Sequence, residues 1–257
     1  MLIALDTATE WCSVGLASTD ISDMLTISRR ISTGHSAYLL PMLDQLLQQR
    51  QMLVSDITAI VVTVGPGSFT GLRIACGVAH GLALGQNLPV VPLSTLEVIA
   101  QRYKSQSLPT VVCVDARMDE LYCAIFDANN VRLSADFVSK PDEASTRVIT
   151  LLDGNPFNAA GNGWALAATK KTLMFSLVDQ LDEKAYPQAG DMLCLGVQQL
   201  NLDKILDKNG LRRQRWLAQD ALPIYIRNDV ALDMAAQRRL RYVNEQSKLQ
   251  EPKVVVQ

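Results

Sequence analysis

A chain of 257 residues, 48% of them hydrophobic, is long enough to bury a sizeable core and suits one large domain or two small lobes. Its 24 Lys and Arg against 26 Asp and Glu leave a net charge of −2, so the molecule as a whole has no electrostatic reason to seek nucleic acid or an acidic membrane. The five cysteines (Cys12, Cys76, Cys113, Cys123, Cys194) are odd in number, scattered and never in a C-x-x-C pair, which reads as core thiols of a reduced, cytoplasmic protein.

In chain order, residues 2–5, 13–17 and about 24–32 read as three strands. Asp6-Thr7-Ala8-Thr9 makes the first turn, where Asp and Thr side chains can bond nearby backbone. The opening Met-Leu-Ile-Ala-Leu-Asp has a short apolar run with no basic stretch, so it is expected to be a strand and not a signal peptide. No stretch approaches the ~20 apolar residues of a membrane span. Residues 36–50 read as a helix whose Leu39, Leu40, Met42, Leu43, Leu46 and Leu47 cover an arc of about 160°, where a surface helix needs roughly 100°. That excess predicts that part of the arc meets another protein chain.

A strand at 57–64 then runs through Gly65, Gly67 and Gly71 into a helix from about 72 to 85. A glycine-rich turn opening a helix suggests phosphate binding, because unpaired N–H groups and the positive end of the dipole point outward there. The spacing fits neither common version. Walker A needs a Lys-Ser/Thr after its last glycine, and the dinucleotide fingerprint needs a third glycine where Thr70 stands. Ser68 and Thr70 are expected to cap the helix. Along it, Gly77, Gly81 and Gly85 fall four residues apart beside Ile74 and Val78, opposite Leu72, Ala75, Ala79 and Ala83, with Arg73 and His80 as the polar line. Each mid-helix glycine costs roughly 1 kcal/mol against alanine, so close approach to another element should compensate. That element is either the domain's own sheet or a second chain.

A strand at 90–92 and a helix at 94–103 follow, and after Ser105-Gln106-Ser107 the pattern restarts. Strands are expected at 110–114, 121–127 and 131–138, with Asp115-Ala-Arg-Met-Asp-Glu-Leu-Tyr122 in the turn, then a strand at 158–160 leading into Gly161-Asn162-Gly163 and a helix. The resulting organisation is two α/β lobes, 1–105 and 106–232, the second reduced, and a charged, fraying tail at 233–257.

Two successive βββαβα units, each with an Asp in its first hairpin, resemble the actin, hexokinase and Hsp70 superfamily, in which paired hairpin turns hold the phosphates of ATP and their metal. By that likeness Asp6, Thr7, Thr9, Asp115 and Arg117 occupy phosphate-loop positions, and Asp6 and Asp115 are candidates for a remnant Mg²⁺ site. The plainer reading makes them turn residues with satisfied side chains. An adenosine pocket needs further glycine-rich turns in the second lobe, and Gly161-Asn162-Gly163 is the one available, so the loops are expected to be degenerate. His35 and His80 are each followed four residues on by a leucine (Leu39, Leu84), so no metal site is expected, and no Gly-x-Ser-x-Gly elbow is present.

The strings Leu-Ile-Ala-Leu-Asp-Thr-Ala-Thr-Glu, His35-Ser36 before Leu39-Leu40-Pro41, Gly65-Pro-Gly-Ser-Phe-Thr-Gly-Leu-Arg73, Pro92-Leu-Ser-Thr-Leu96 and Asp115 to Tyr122 together resemble the bacterial TsaB family, also called YeaZ. Pro223-Ile-Tyr-Ile-Arg-Asn-Asp-Val230 looks like that family's C-terminal signature. The resemblance covers about residues 1–232 and is loose between 142 and 222. It implies a cytoplasmic, non-catalytic subunit without cofactor or metal, similar to a degenerate copy of TsaD, which transfers a threonylcarbamoyl group to adenosine 37 of tRNA. TsaD keeps a metal-binding His-x-x-x-His pair where this chain has His35 and Leu39. The implied partners are TsaD, as a heterodimer, and the ATPase TsaE in a larger complex. A homodimer is implied when TsaD is absent, any tRNA contact is indirect or weak, and no membrane is involved. The implied interface is the pair of first-lobe helices: Leu39, Leu43, Leu46 and Leu47 on one, Ile74, Gly77, Val78 and Gly81 on the other. The competing reading is an active ATP-dependent enzyme of this fold, a kinase or carbamoyl transferase using Asp6 and Asp115. An older metallo-glycoprotease label needs a metal site that two histidines cannot supply.

Overall fold

The computed structural model describes residues 1–31, 33–104, 106–203 and 217–226. Strands β1 (Leu2–Asp6), β2 (Trp11–Ala17) and β3 (Leu25–Arg30) form an antiparallel meander. Then come α1 (Leu39–Gln49), β4 (Ala59–Gly65), α2 (Phe69–Gln86), β5 (Val90–Ser94) and α3 (Thr95–Gln101). β4 pairs in parallel with both β1 and β5, so the first sheet runs β3-β2-β1-β4-β5.

The second half repeats the plan with β6 (Thr110–Arg117), β7 (Glu120–Phe126), β8 (Phe137–Ser139), α4 (Pro141–Leu151), β9 (Phe157–Ala160), α5 (Ala167–Lys170), β10 (Val178–Asp182) and α6 (Ala189–Asp203). Its sheet, β8-β7-β6-β9-β10, has the same order and strand directions as the first. The reduction of the second lobe falls on a crossover helix: α5 has 4 residues where α2 has 18. The strand expected over 131–138 shortens to β8. Before it the chain wraps the end of β7, Leu133 N–H donating to the Ile125 carbonyl (2.8 Å) and Ser134 Oγ accepting from Ile125 N–H (3.1 Å).

Both sheets are covered on both faces, which is why their strands read as continuous apolar runs. In the first, Ile3, Leu5, Ile60 and Val62 share a core with α1 and α2, whereas their neighbours Leu2, Ala4 and Val61 face Ala189, Met192 and Leu193 of α6. In the second, Val111, Cys113 and Ile125 pack against Ala144 and Val148 of α4, and Val112, Val114 and Ala124 against Leu96, Ile99 and Ala100 of α3. The core contacts of 189–195 therefore run to the first sheet, although their sequence position assigns them to the second lobe. The strap at 217–226 also returns there: Ala221 is buried in the α1–α2 core, and Ile224 N–H donates to the Val64 carbonyl (2.7 Å). The charged tail expected at 233–257, like residues 227–232, lies outside the described residues.

α1 corrects one expectation. Leu39, Leu43, Leu46 and Leu47 are 0–3% exposed and belong to the first sheet's own core with Met42, Val14, Leu16 and Ile57. Of the six apolar residues in the wide arc, Leu40 alone is open, at 49%. The arc is wide because the sheet and the β2–β3 arm cover most of it, so those four leucines are taken up by the chain's own core.

Candidate functional site

The parallel strands β1 and β4 end side by side, and the glycine-rich turn starts where they stop. Ser68 caps α2, its Oγ accepting from Gly71 N–H (3.3 Å), so the helix begins at Phe69, three residues before the expected start. The turn is folded onto the β1–β2 hairpin. Ser68 N–H donates to the Ala8 carbonyl (2.7 Å), and Thr7 Oγ1 donates to the Gly71 carbonyl (2.6 Å). A Cβ on Gly67 or Gly71 would lie closer than 3 Å to the carbonyl oxygen of Ala8 or Thr7. Gly65, at φ +130°, would meet the Ile224 carbonyl at 2.6 Å. These glycines fit the chain's own backbone into the space a phosphate cradle would offer.

Asp6 is fully buried at the end of β1. Its Oδ1 accepts from Thr63 Oγ1 (2.5 Å) and from Ala8 N–H (3.2 Å), while Oδ2 is buried without a partner. Burial pushes the carboxyl up to about 7 against the pull of those two bonds. The nearby thiols of Cys12 and Cys76 are pushed up to about 12, by burial first and the Asp6 charge second, so they stay protonated. Thr9 Oγ1 accepts from Trp11 N–H (3.2 Å), a local turn bond. Burial also lowers His35, near the Thr9 and Trp11 carbonyls.

In the second hairpin the acid bonds back within its own turn. Asp115 accepts from Arg117 N–H (2.7 Å) through Oδ1 and from Arg117 Nη1 (3.1 Å) through Oδ2. Arg117, Met118 and Asp119 follow one another in the left-handed region. Asn162 Oδ1 accepts from Asp115 N–H (2.9 Å), and a Cβ on Gly161 or Gly163 would strike the Cys113 carbonyl group. The glycine pair in Gly161-Asn162-Gly163 thus mirrors the first lobe: it seats one backbone on another. Thr63, in the strand before the glycine turn, bonds the Asp6 carboxyl, and Asn162, between the two second-lobe glycines, bonds the Asp115 backbone; neither carries a sequence signal of its own.

On α2 the buried side is Leu72, Ala75, Cys76, Ala79 and Ala83. The glycine face points the other way: Gly77, Gly81 and Gly85 are exposed, and a Cβ on any of them would meet nothing within 4 Å. Ile74 and Val78 are half-buried beside them, and Phe69 and Leu84 stand 53% and 67% exposed on the same helix. The close approach to the sheet is made by alanines, so the sheet does not account for the glycines.

Duplicated βββαβα lobes, each with its hairpin packed against a glycine turn, define a two-lobed α/β protein of the actin and Hsp70 type. A family model described as "TsaD: tRNA N6-adenosine threonylcarbamoyltransferase" matches residues 27–212. The chain is 32% identical over 244 residues to the tRNA threonylcarbamoyladenosine biosynthesis protein TsaB of Haemophilus influenzae, covering 89% of this chain and 94% of that one. It is 33% identical over 237 residues to TsaB of Escherichia coli, covering 90% and 96%. The solved structure of YeaZ from Pseudomonas aeruginosa superposes with a TM-score of 0.69 at 31% identity, over 87% of this chain and 99% of that one. The chain belongs to the family that this model describes and, within it, to the TsaB (YeaZ) proteins. Among the described residues no helix is long and apolar enough to cross a membrane.

Proposed function

We propose that this chain is a non-catalytic, cytoplasmic subunit of tRNA threonylcarbamoyladenosine synthesis that docks on a TsaD-type transferase and supports its transfer of threonylcarbamoyl to adenosine 37. The observation that carries the reading is the outward glycine face of α2, where Ile74, Gly77, Val78 and Gly81 form a shallow, uncovered strip on a helix otherwise apolar nearly all round. Small residues let a second helix approach closely, which repays their low helix propensity. TsaE joins the pair in the larger complex, the same strip serves a homodimer when TsaD is absent, and tRNA is contacted weakly or through the partner.

The non-catalytic half of the reading is supported by Asp6 and the closed turns. An acid that is fully buried, leans toward its neutral form and bonds to Thr63 and Ala8 is poorly placed to hold a metal–phosphate, and the adjoining turn is filled by Thr7 and Ala8. Gly81→Leu tests the docking half. Its side chain enters open space, so circular dichroism and melting should stay close to the parent, while binding to TsaD of the same organism and threonylcarbamoylation with TsaD and TsaE should fall at least tenfold. Unchanged binding and full modification would refute the reading. Micromolar ATP binding with turnover by the isolated chain in Mg²⁺ would favour the enzyme instead.

A further inference from the structure

Where the strap crosses the start of α2, two exposed rings and one cation form a stack. The Arg73 guanidinium carbon lies 3.3 Å from the centroid of Phe69 and 5.5 Å from that of Tyr225, and the rings are 5.3 Å apart, tilted by 36°. Phe69 and Tyr225 are 53% and 45% exposed, and Arg73 is exposed as well. The strap is seated by the Ile224–Val64 hydrogen bond and by Gly65, whose missing side chain leaves room for the Ile224 carbonyl. Among the residues whose side chains are described no carboxylate pairs with Arg73, and residues 69–86 contain neither Asp nor Glu.

A guanidinium stacked on a ring uses its flat face and keeps its N–H donors free at the edge, already oriented. Arg73 is also one turn before Gly77, so it borders the glycine strip, and Ile224 and Leu222 extend the apolar surface beside it at 59% and 58% exposure. Resting on the docking role proposed above, we infer that Arg73 is the charge anchor of that face, met by a carboxylate on the transferase subunit, and that Tyr225 of the strap positions it. A protein partner is favoured over an RNA backbone because Arg73 is the one Lys or Arg in residues 69–86 and 217–226 and is set among apolar groups there, whereas phosphate recognition recruits several cations. An aromatic–arginine pair at the border of an apolar strip has the composition in which binding energy concentrates.

The experiment measures affinity for TsaD of the same organism by calorimetry at two salt concentrations, for the full chain and for Arg73→Glu, Arg73→Ala, Tyr225→Ala, the double variant and Gly81→Leu, each checked for fold by circular dichroism. Arg73→Glu should weaken binding at least tenfold, and Arg73→Ala should also flatten the salt dependence. Tyr225→Ala should weaken binding severalfold in the parent and hardly at all on Arg73→Ala, the non-additivity expected of a residue acting through another. If Gly81→Leu loses binding while Arg73→Glu stays within twofold of the parent, this inference falls and the docking role stands. If the parent chain does not bind, or Gly81→Leu binds normally, the docking role itself fails and takes the anchor with it. Retained TsaD affinity in Arg73→Glu, with loss of binding to unmodified tRNA, would reassign the stack to RNA and overturn the inference.

Discussion

Asp6 has the most unusual environment of any residue in the site: a carboxyl with no accessible surface, two donors on one oxygen and none on the other. Since burial lifts it to about 7 from an ordinary 3.8, the folded chain holds a proton there that the unfolded chain releases. Stability contributed by the neutral acid is therefore fully present below about pH 4 and is lost as pH rises through 7. His35 slopes the other way, because its lowered affinity makes the unfolded chain the better proton binder near pH 6. The difference between parent and Asp6→Asn isolates the acid. Asn keeps an acceptor for Thr63 and Ala8 but cannot ionise, so urea midpoints of the variant should gain on the parent from pH 5 to about pH 7 and level off by pH 8. A constant difference across that range would mean that Asp6 is ionised throughout.

At the scale of elements, the same residue type does opposite work at two ends of one helix. Gly71 is required by the hairpin it abuts, so Gly71→Ala should destabilise by about 1–3 kcal/mol, the usual cost of overpacking. Gly77 faces open space inside a helix, so Gly77→Ala should stabilise by roughly 0.5–1 kcal/mol through propensity alone. Urea unfolding of the two variants reads both signs. The sequence reveals the glycines but not their partners, because a ligand phosphate and a neighbour's carbonyl demand the same missing Cβ. The first seven strands are legible from their apolar runs and turn residues, and so is α2 from its caps and its two apolar faces. α4, β10 and α6 escape sequence reading for a different reason. α6 is buried by Leu2, Ala4 and Ala17, more than 170 residues earlier, and no local pattern encodes which sheet will cover it. α1 misleads because the width of an apolar arc reports how many neighbours surround a helix, without saying whether they belong to its own chain.

On the scale of the molecule, the two sheets are joined through α3, which is held along its length. Ser94 Oγ, which caps α3 through Leu96 and Glu97, donates to Asp136 Oδ2 of the second lobe (2.7 Å). Arg132 bridges Asp136 and Glu97 (3.4 Å to the latter), and Asn130 donates to Gln101 (2.9 Å). At the far end Arg102 pairs with Asp191 (3.2 Å) and Tyr103 donates to Asp182 (2.8 Å). A helix pinned along its length to both sheets favours one rigid body, which would suit the docking role proposed above. Removing Arg132 should loosen it in a pH-dependent way. Burial already raises Glu97, and Arg132 is the charge that opposes the rise. In Arg132→Gln the Glu97 and Asp136 carboxylates face each other without a cation, so at pH 7 the loss should be about 1–3 kcal/mol, less than for a fully buried pair because both partners are about a quarter to a third exposed. At pH 5 Glu97 can take up a proton in the folded chain, so the deficit should shrink, and hydrogen exchange along α3 should quicken more at pH 7 than at pH 5 once intrinsic rates are divided out. Equal deficits at both pH values, with exchange along α3 unchanged, would mean that the network is incidental and that packing of Leu96, Ile99 and Ala100 alone holds the lobes together.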